Sequence, residues 1–346
     1  MTTLLRKALE QSSITYKFRS FKMKKQLLIA AVAATMGTAA IADISIAGAA
    51  KVNFENVDFD DTQVDTNDFK REMDLKITGK SGDTTVVMNF ANDTLSGNDT
   101  TGSASLGLRS EDTYVATSIE GVSVKVGAWD NGNNELRSST RGDNKISAST
   151  TMGGVKITYD ATEESAGKLA DTVKLSGEVS GVAVSYKSVD NGEDISVSTT
   201  VGGVAVSYFA MNRDAANTDK SVVTASGTFG GVGVKVAQAT ADSSATISGD
   251  TWMGDYEGNT SGAYNLSAGQ DVTAVELSGS IAGNSVKFRN VSIDDVATED
   301  TSFNKFIVTR ALSNGTTFEA TYTDLDDDGS TTTDSSTLDL ELAVKF

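Results

Sequence analysis

The sequence predicts an all-β chain, closed into an antiparallel barrel that crosses a membrane with strands. Three observations predict it. Apolar and polar residues alternate over most of the chain. Tight glycine turns recur, at Met152-Gly153-Gly154-Val155, Val179-Ser180-Gly181-Val182, Val201-Gly202-Gly203-Val204, Phe229-Gly230-Gly231-Val232 and Ile281-Ala282-Gly283-Asn284. The connections at the other ends of these hairpins read as longer and polar. Alternation gives each strand one apolar face. Glycine supplies the positive φ that a tight hairpin needs. Short turns at one rim and long loops at the other are the pattern of an outer-membrane barrel, with short periplasmic turns and long extracellular loops.

Each element follows from the same alternation. From Asp43 to Phe54, Ile44, Ile46, Val52 and Phe54 share one face, and Ser45, Lys51 and Asn53 the other. After a polar loop (56–67), the strand near Phe69–Thr78 turns Met73, Leu75 and Ile77 outward and Glu72, Asp74 and Lys76 inward. Ser81-Gly82-Asp83 leads into Thr84–Asn92. Ser103–Ile119 sets Leu106 and Leu108 against Arg109, and Val122, Val124, Val126 and Ala128 oppose Lys125. A polar segment, Asp130 to Asn144, follows. Eight strands then cover about 145–239, and four or five more follow a long loop at 240–270. That loop carries Trp252, Tyr256 and Tyr264, which are expected to pack it onto a neighbouring rim. Eight turns, including Leu312-Ser313-Asn314-Gly315, imply 18 strands. The inward face is expected to be small and polar, too polar to fill a dry core. Tyr159, Tyr186, Tyr208, Phe229, Phe288, Phe318 and Tyr322 fall near strand ends on the apolar face, as interfacial girdles do.

Composition narrows the chemistry. The 346 residues include no Pro, Cys or His. Without Cys there is no disulfide framework. Without His, Ser–His or Asp–His catalysis and a His-ligated zinc site are excluded, and the chain reads as a non-enzyme. The net charge of −18 makes nucleic acid a poor partner. Residues 1–42 hold seven Lys/Arg against one acid, so the chain from Asp43 onward is more acidic still, at −24. Beyond residue 42 no apolar run is long enough for a spanning helix.

The amino terminus reads as an export signal spanning 23–42. Met23-Lys24-Lys25 is its basic start, Leu27 to Ala34 its apolar core, and Ala40-Ile41-Ala42 its cleavage site, which puts the mature start at Asp43. Residues 1–22 read either as lying ahead of the true start or as a long basic lead. At the other end, Leu338, Leu340, Leu342 and Val344 alternate with polar residues up to the terminal Phe346.

With that final Phe, the export signal and the hairpin array, the chain from Asp43 to Phe346 resembles the general bacterial outer-membrane porins, in particular the alphaproteobacterial type. The resemblance implies a homotrimer of 16-stranded barrels passing small hydrophilic solutes and ions passively, against the 18 strands of the turn count. An 18-stranded relative would be of the kind that passes sugars, but no run of aromatics of the sugar-slide type is present. The resemblance makes Phe346 the signal read by the barrel-assembly machinery. It folds the loop near 130–144 into the pore as a constriction, with Asp130, Glu135, Arg137, Arg141 and Asp143 facing Lys51, Lys76 and Arg109 on the wall and Lys125 nearer the loop. The acidic total favours cations at the mouth, while Lys125, Lys156, Lys174, Lys187, Lys235 and Lys287 point inward by parity and offset it. Weak cation selectivity is the expectation. The other reading of this composition is an exported surface protein or adhesin with no pore.

Asp324-Leu325-Asp326-Asp327-Asp328-Gly329 has the opening spacing of a calcium loop. The closing Glu is absent, since Ser335 stands at the twelfth position. The expectation is an acidic exposed loop with at most weak Ca²⁺ binding, and no cofactor.

Overall fold

The computed structural model describes residues 43–60, 64–92, 109–130, 136, 143–163, 169–245, 247–248, 252–253, 265–266, 269–295, 300–327 and 334–346. The export-signal reading of 1–42 lies outside these residues. Twenty strands follow in order: β1 (Asp43–Phe59), β2 (Thr66–Ser81), β3 (Thr84–Asn92), β4 (Arg109–Ile119), β5 (Val122–Trp129), β6 (Asp143–Met152), β7 (Val155–Glu163), β8 (Leu169–Val179), β9 (Val182–Val189), β10 (Gly192–Val201), β11 (Val204–Arg213), β12 (Lys220–Phe229), β13 (Val232–Ala241), β14 (Ile247–Ser248), β15 (Asn265–Leu266), β16 (Gln270–Ile281), β17 (Asn284–Asp295), β18 (Thr301–Ala311), β19 (Thr316–Asp327) and β20 (Ser335–Lys345). The short pair β14–β15 stands apart, and the other strands form one 18-stranded sheet.

Every barrel strand pairs antiparallel with its neighbours in sequence, and β1 pairs with both β2 and β20. The sheet therefore closes on itself and leaves no edge to be matched by another chain. The count taken from the turns is the one found. The 16 strands implied by the resemblance are not, because each glycine junction is a true hairpin between two paired strands. Gly153 and Gly154 have φ of 58° and 82°, and the other Gly-Gly turns repeat these values closely. Both central residues are left-handed, as a type I′ turn requires, and its twist matches that of the strands.

The opposite rim departs from expectation at one place. Between β9 and β10 only Asp190 and Asn191 intervene, so this junction is as short as those on the glycine rim. Gly192 takes up the turn with a φ of 145°.

Register fixes which side chains face out. Ile44, Val179 and Val201 are 62%, 72% and 66% exposed, and the seven predicted girdle aromatics are also exposed. In water each such aliphatic side chain forgoes about 1.5–3 kcal/mol of burial. A lipid surround restores it. Phe54 and Phe69 pair on this outer face with ring centroids 4.9 Å apart. At the closing seam, Phe346 and Gly48 exchange backbone hydrogen bonds, N–H to O, of 3.0 and 2.8 Å. The Phe346 ring lies where a Cβ on residue 48 would be, so a larger residue there would have to move the ring.

Candidate functional site: the barrel lumen

The inner face carries the charges. On β1, β2 and β20 they interlock. Lys51 Nζ lies 2.7 Å from Glu72 and 3.5 Å from Glu341, Lys70 Nζ lies 2.8 Å from Glu55, and Asn53 Nδ2 donates to Asp339 at 2.8 Å. Register sets Lys51 directly opposite Glu72, and the other contacts run diagonally across neighbouring strands, since Asn53 stands opposite Glu341 on β20 and opposite Lys70 on β2. Across β16 and β17, Arg289 Nε meets Glu276 at 2.6 Å with both side chains largely buried.

A second cluster sits where β4, β5 and β6 meet. Lys125 Nζ stands 3.7 Å from the Tyr114 ring centroid and 4.2 Å from that of Trp129. The two rings meet edge to face at 6.1 Å. Lys145 Nζ, nearly buried, donates to the Trp129 carbonyl at 2.7 Å. Gly127 lies between Lys125 and Trp129, and a Cβ there would strike the β4 backbone at Thr113 and Tyr114.

The loop-side half of the opposite wall is apolar, which the expected small polar interior did not include. Met211, Val222, Ala239, Val272, Val291 and Phe303 form a buried cluster on the inner face of β11 to β18. Two loop segments cover it. Leu136, from the segment between β5 and β6, is fully buried there, and its carbonyl accepts a 2.8 Å hydrogen bond from Lys220 Nζ on β12. Met253 is fully buried in the same cluster, and Trp252 packs against it. Lys235 Nζ lies 4.2 Å from the Trp252 ring centroid. Trp252 thus sits on an inward lysine rather than on a neighbouring rim, because the apolar wall offers it more buried contact than a wet edge.

The predicted site residues divide accordingly. Lys51, Lys76 and Lys125 lie on inner-face positions of β1, β2 and β5, with Lys76 opposite Asn89 and Lys125 opposite Ala116 and Ser147. Arg109 opens β4 opposite Ala91, and Asp143 opens β6 opposite Trp129. Asp130 follows β5, its amide donating to Asp112 Oδ1 at 3.0 Å. Glu135, Arg137 and Arg141 lie outside the described residues. Lys156, Lys174, Lys187, Lys235 and Lys287 also share the inner face by register. Of the calcium motif, Asp324 and Asp326 belong to strand β19 and Asp328 lies outside the described residues. Among the described residues no group of three metal-ligating side chains converges.

Leu136 and Met253 were missed, and Trp252 was expected on a rim. The signal for them was present: at the loop ends of several strands apolar residues occupy both faces, as in Tyr208-Phe209-Ala210-Met211, or change face, as from Val286 and Phe288 to Val291 and Ile293. Loss of alternation there marks an inner surface that something must cover.

No family model matches the chain, and no curated protein matches it. Solved structures do match its fold. Acinetobacter baumannii OccAB4 aligns with a TM-score of 0.61 at 11% identity, over 88% of this chain and 98% of that one. Pseudomonas aeruginosa OccK2 in complex with glucuronate aligns with a TM-score of 0.61 at 12% identity, over 88% and 98%. An anion-selective porin from Comamonas acidovorans aligns with a TM-score of 0.52 at 14% identity, over 88% and 100%. At these identities the likeness is one of fold.

Proposed function

We propose that the chain forms a water-filled channel in the bacterial outer membrane, through which small hydrophilic solutes and ions diffuse passively. One observation carries this reading: a closed 18-stranded cylinder with an apolar outer face and a charged inner wall. Barrels of this size leave an aqueous channel. The Comamonas structure is named an anion-selective porin, and OccK2 is named in complex with glucuronate, so barrels of similar fold hold or pass small charged solutes. No step of this function is catalytic.

The finer reading follows from the resemblance and the wall. The mature chain starts at Asp43 after export through the Sec pathway, Phe346 serves the assembly machinery, and three identical subunits associate in the lipid. The segment 130–144 narrows the pore, setting Asp130, Glu135, Arg137, Arg141 and Asp143 against Lys76, Arg109 and Lys125. Lys51 contributes less field, because two glutamates share its charge. Opposed charges order water and raise the barrier to apolar solutes. Acid-rich rims favour cations at the mouths, and inward lysines reduce that preference to a weak one. Asp324, Asp326 and Asp328 bind Ca²⁺ weakly, if exposed to millimolar levels.

The test is single-channel recording of residues 43–346, refolded and inserted into a planar bilayer. Stepwise openings in threes support a trimeric channel, and a reversal potential in a salt gradient gives the ion preference. Chloride preference overturns the cation reading. A soluble folded product that does not insert overturns the channel and favours a surface protein.

A further inference from the structure

Strand parity sorts the cations. Among the described strand residues, register turns every lysine to the inner face, and every arginine except Arg71 on β2 and Arg310 on β18. Arg310 stands beside Ala311, where β18 ends at a short turn, so water is within its reach. Arg71 stands inside an apolar run. From turn to loop, the outward side chains of β2 read Ile77, Leu75, Met73, Arg71, Phe69 and Asn67.

An arginine facing lipid is costly at the bilayer midplane and nearly free of cost at an interface. Arg71 is ten residues along β2 from Ser81, where the strand ends at its turn. A strand tilted by about 40° climbs about 25 Å over that length, the height of a barrel's apolar band. Arg71 therefore lies at the loop-side interface.

Its surroundings leave its charge open to that interface. Among the described residues no carboxylate pairs with Arg71. Its chain neighbours Lys70 and Glu72 turn inward, to Glu55 and Lys51. The guanidinium thus has its donors free for an outside acceptor. On its loop side the Phe54 and Phe69 rings pack together, as interfacial aromatics do. Beyond them Asn56 Nδ2 donates to Asn67 Oδ1 at 3.0 Å, with both amides exposed. Elsewhere on the described loop-side rim the outward charges are acids, among them Asp171, Glu193, Asp271 and Asp324, and Asp58 nearer the β1 loop. These repel an anion, so the face around Arg71 is where a negative headgroup finds its complement.

We propose that the outward face of β1 and β2 at Arg71 holds the phosphate headgroup of an anionic lipid in the loop-side leaflet. The guanidinium donates in a fork to two phosphate oxygens. Asn67 donates to the headgroup's hydroxyls, and the acyl chains lie along the exposed Met73, Val52 and Leu342. The inference rests on the barrel's placement in lipid, and not on its conductance.

Residues 43–346 in vesicles test it, through an outward tryptophan introduced as Met73→Trp, beside Arg71, or as Val223→Trp on β12, whose register partners Tyr208 and Gln238 carry no charge. Trp129 and Trp252 lie on the inner side and add a constant background. The quenchers are phosphatidylglycerol and phosphatidylcholine, each brominated on its acyl chains. In Met73→Trp, phosphatidylglycerol is expected to reach half-quenching at a mole fraction about fivefold below that of phosphatidylcholine, the factor that about 1 kcal/mol for one arginine at a lipid surface supplies. In Val223→Trp the two lipids are expected to quench alike. Adding Arg71→Gln to Met73→Trp is expected to bring the ratio to about one, Arg71→Lys to keep part of it because charge remains without the fork, and Arg310→Gln to leave it unchanged. Equal quenching by the two lipids in Met73→Trp, or a preference that survives Arg71→Gln, overturns the site and leaves the barrel in lipid standing. Absence of quenching in both reporters overturns the placement in lipid and the site with it.

Discussion

Apart from Asn314, a residue type that tolerates it, three of the hairpin turns put a side chain where glycine is at home. Glu120, Ser180 and Ala282 have φ of 49°, 53° and 50°. A left-handed backbone costs a residue with a Cβ about 1–2 kcal/mol, while glycine gives back about 0.5–1 kcal/mol as chain entropy. Ala282→Gly is therefore expected to stabilise the barrel by about 0.5 kcal/mol, read as a higher urea midpoint for unfolding from lipid vesicles. The buried pair Arg289–Glu276 points the other way. Glu276→Ala leaves a largely buried guanidinium short of its carboxylate, and removal of one partner from such a pair costs about 3–5 kcal/mol. The same denaturation series checks it. At this scale the sequence was legible by parity: Lys51, Lys76 and Lys125 fall on the inner face because Ile44, Met73 and Val124 fall on the other. Their partners were not legible, since which acid meets Lys51 depends on the pairing of β20 with β1, almost 300 residues apart in the chain.

Among elements, the end of the β20–β1 seam packs over one small residue. Gly48→Val would displace the Phe346 ring from the seam. The variant is expected to assemble poorly, with less of the compact form that resists SDS before heating, whereas Ala47→Val on the inner face of the same strand is expected to assemble. Strand positions were readable almost throughout, because alternation and type I′ turns are local signals. The short β9–β10 junction runs against the long polar loops expected on that rim, since nothing in Asp190-Asn191 by itself distinguishes a two-residue link from the start of a longer polar loop. The apolar inner patch was missed for a related reason. It is assembled from one or two residues on each of several strands, and it has no local period.

For the whole molecule, the proposed constriction is tested at the segment between β5 and β6. Leu136→Ala is expected to weaken its anchorage by about 2–5 kcal/mol, the cost of emptying a buried leucine site. Lys220→Met removes the hydrogen bond to the Leu136 carbonyl, a charged contact of about 1.5–3 kcal/mol. Both variants are expected to raise single-channel conductance and its noise. Unchanged conductance in both would show that this segment does not set the aperture.

That anchorage has a geometric consequence. β5 and β12 stand far apart around the ring, yet only five residues lie between Asp130 and Leu136, a reach of about 20 Å at full extension. The line from Asp130 to Leu136 is thus a chord across a circle. On one side of the chord lies a dry segment, packed with Val272, Val291 and Phe303. On the other lies the wet one. Circumference and aperture are then separate quantities: inserting or deleting a hairpin behind the dry segment would change the width of the tube while leaving the width of the passage to the length of the chord.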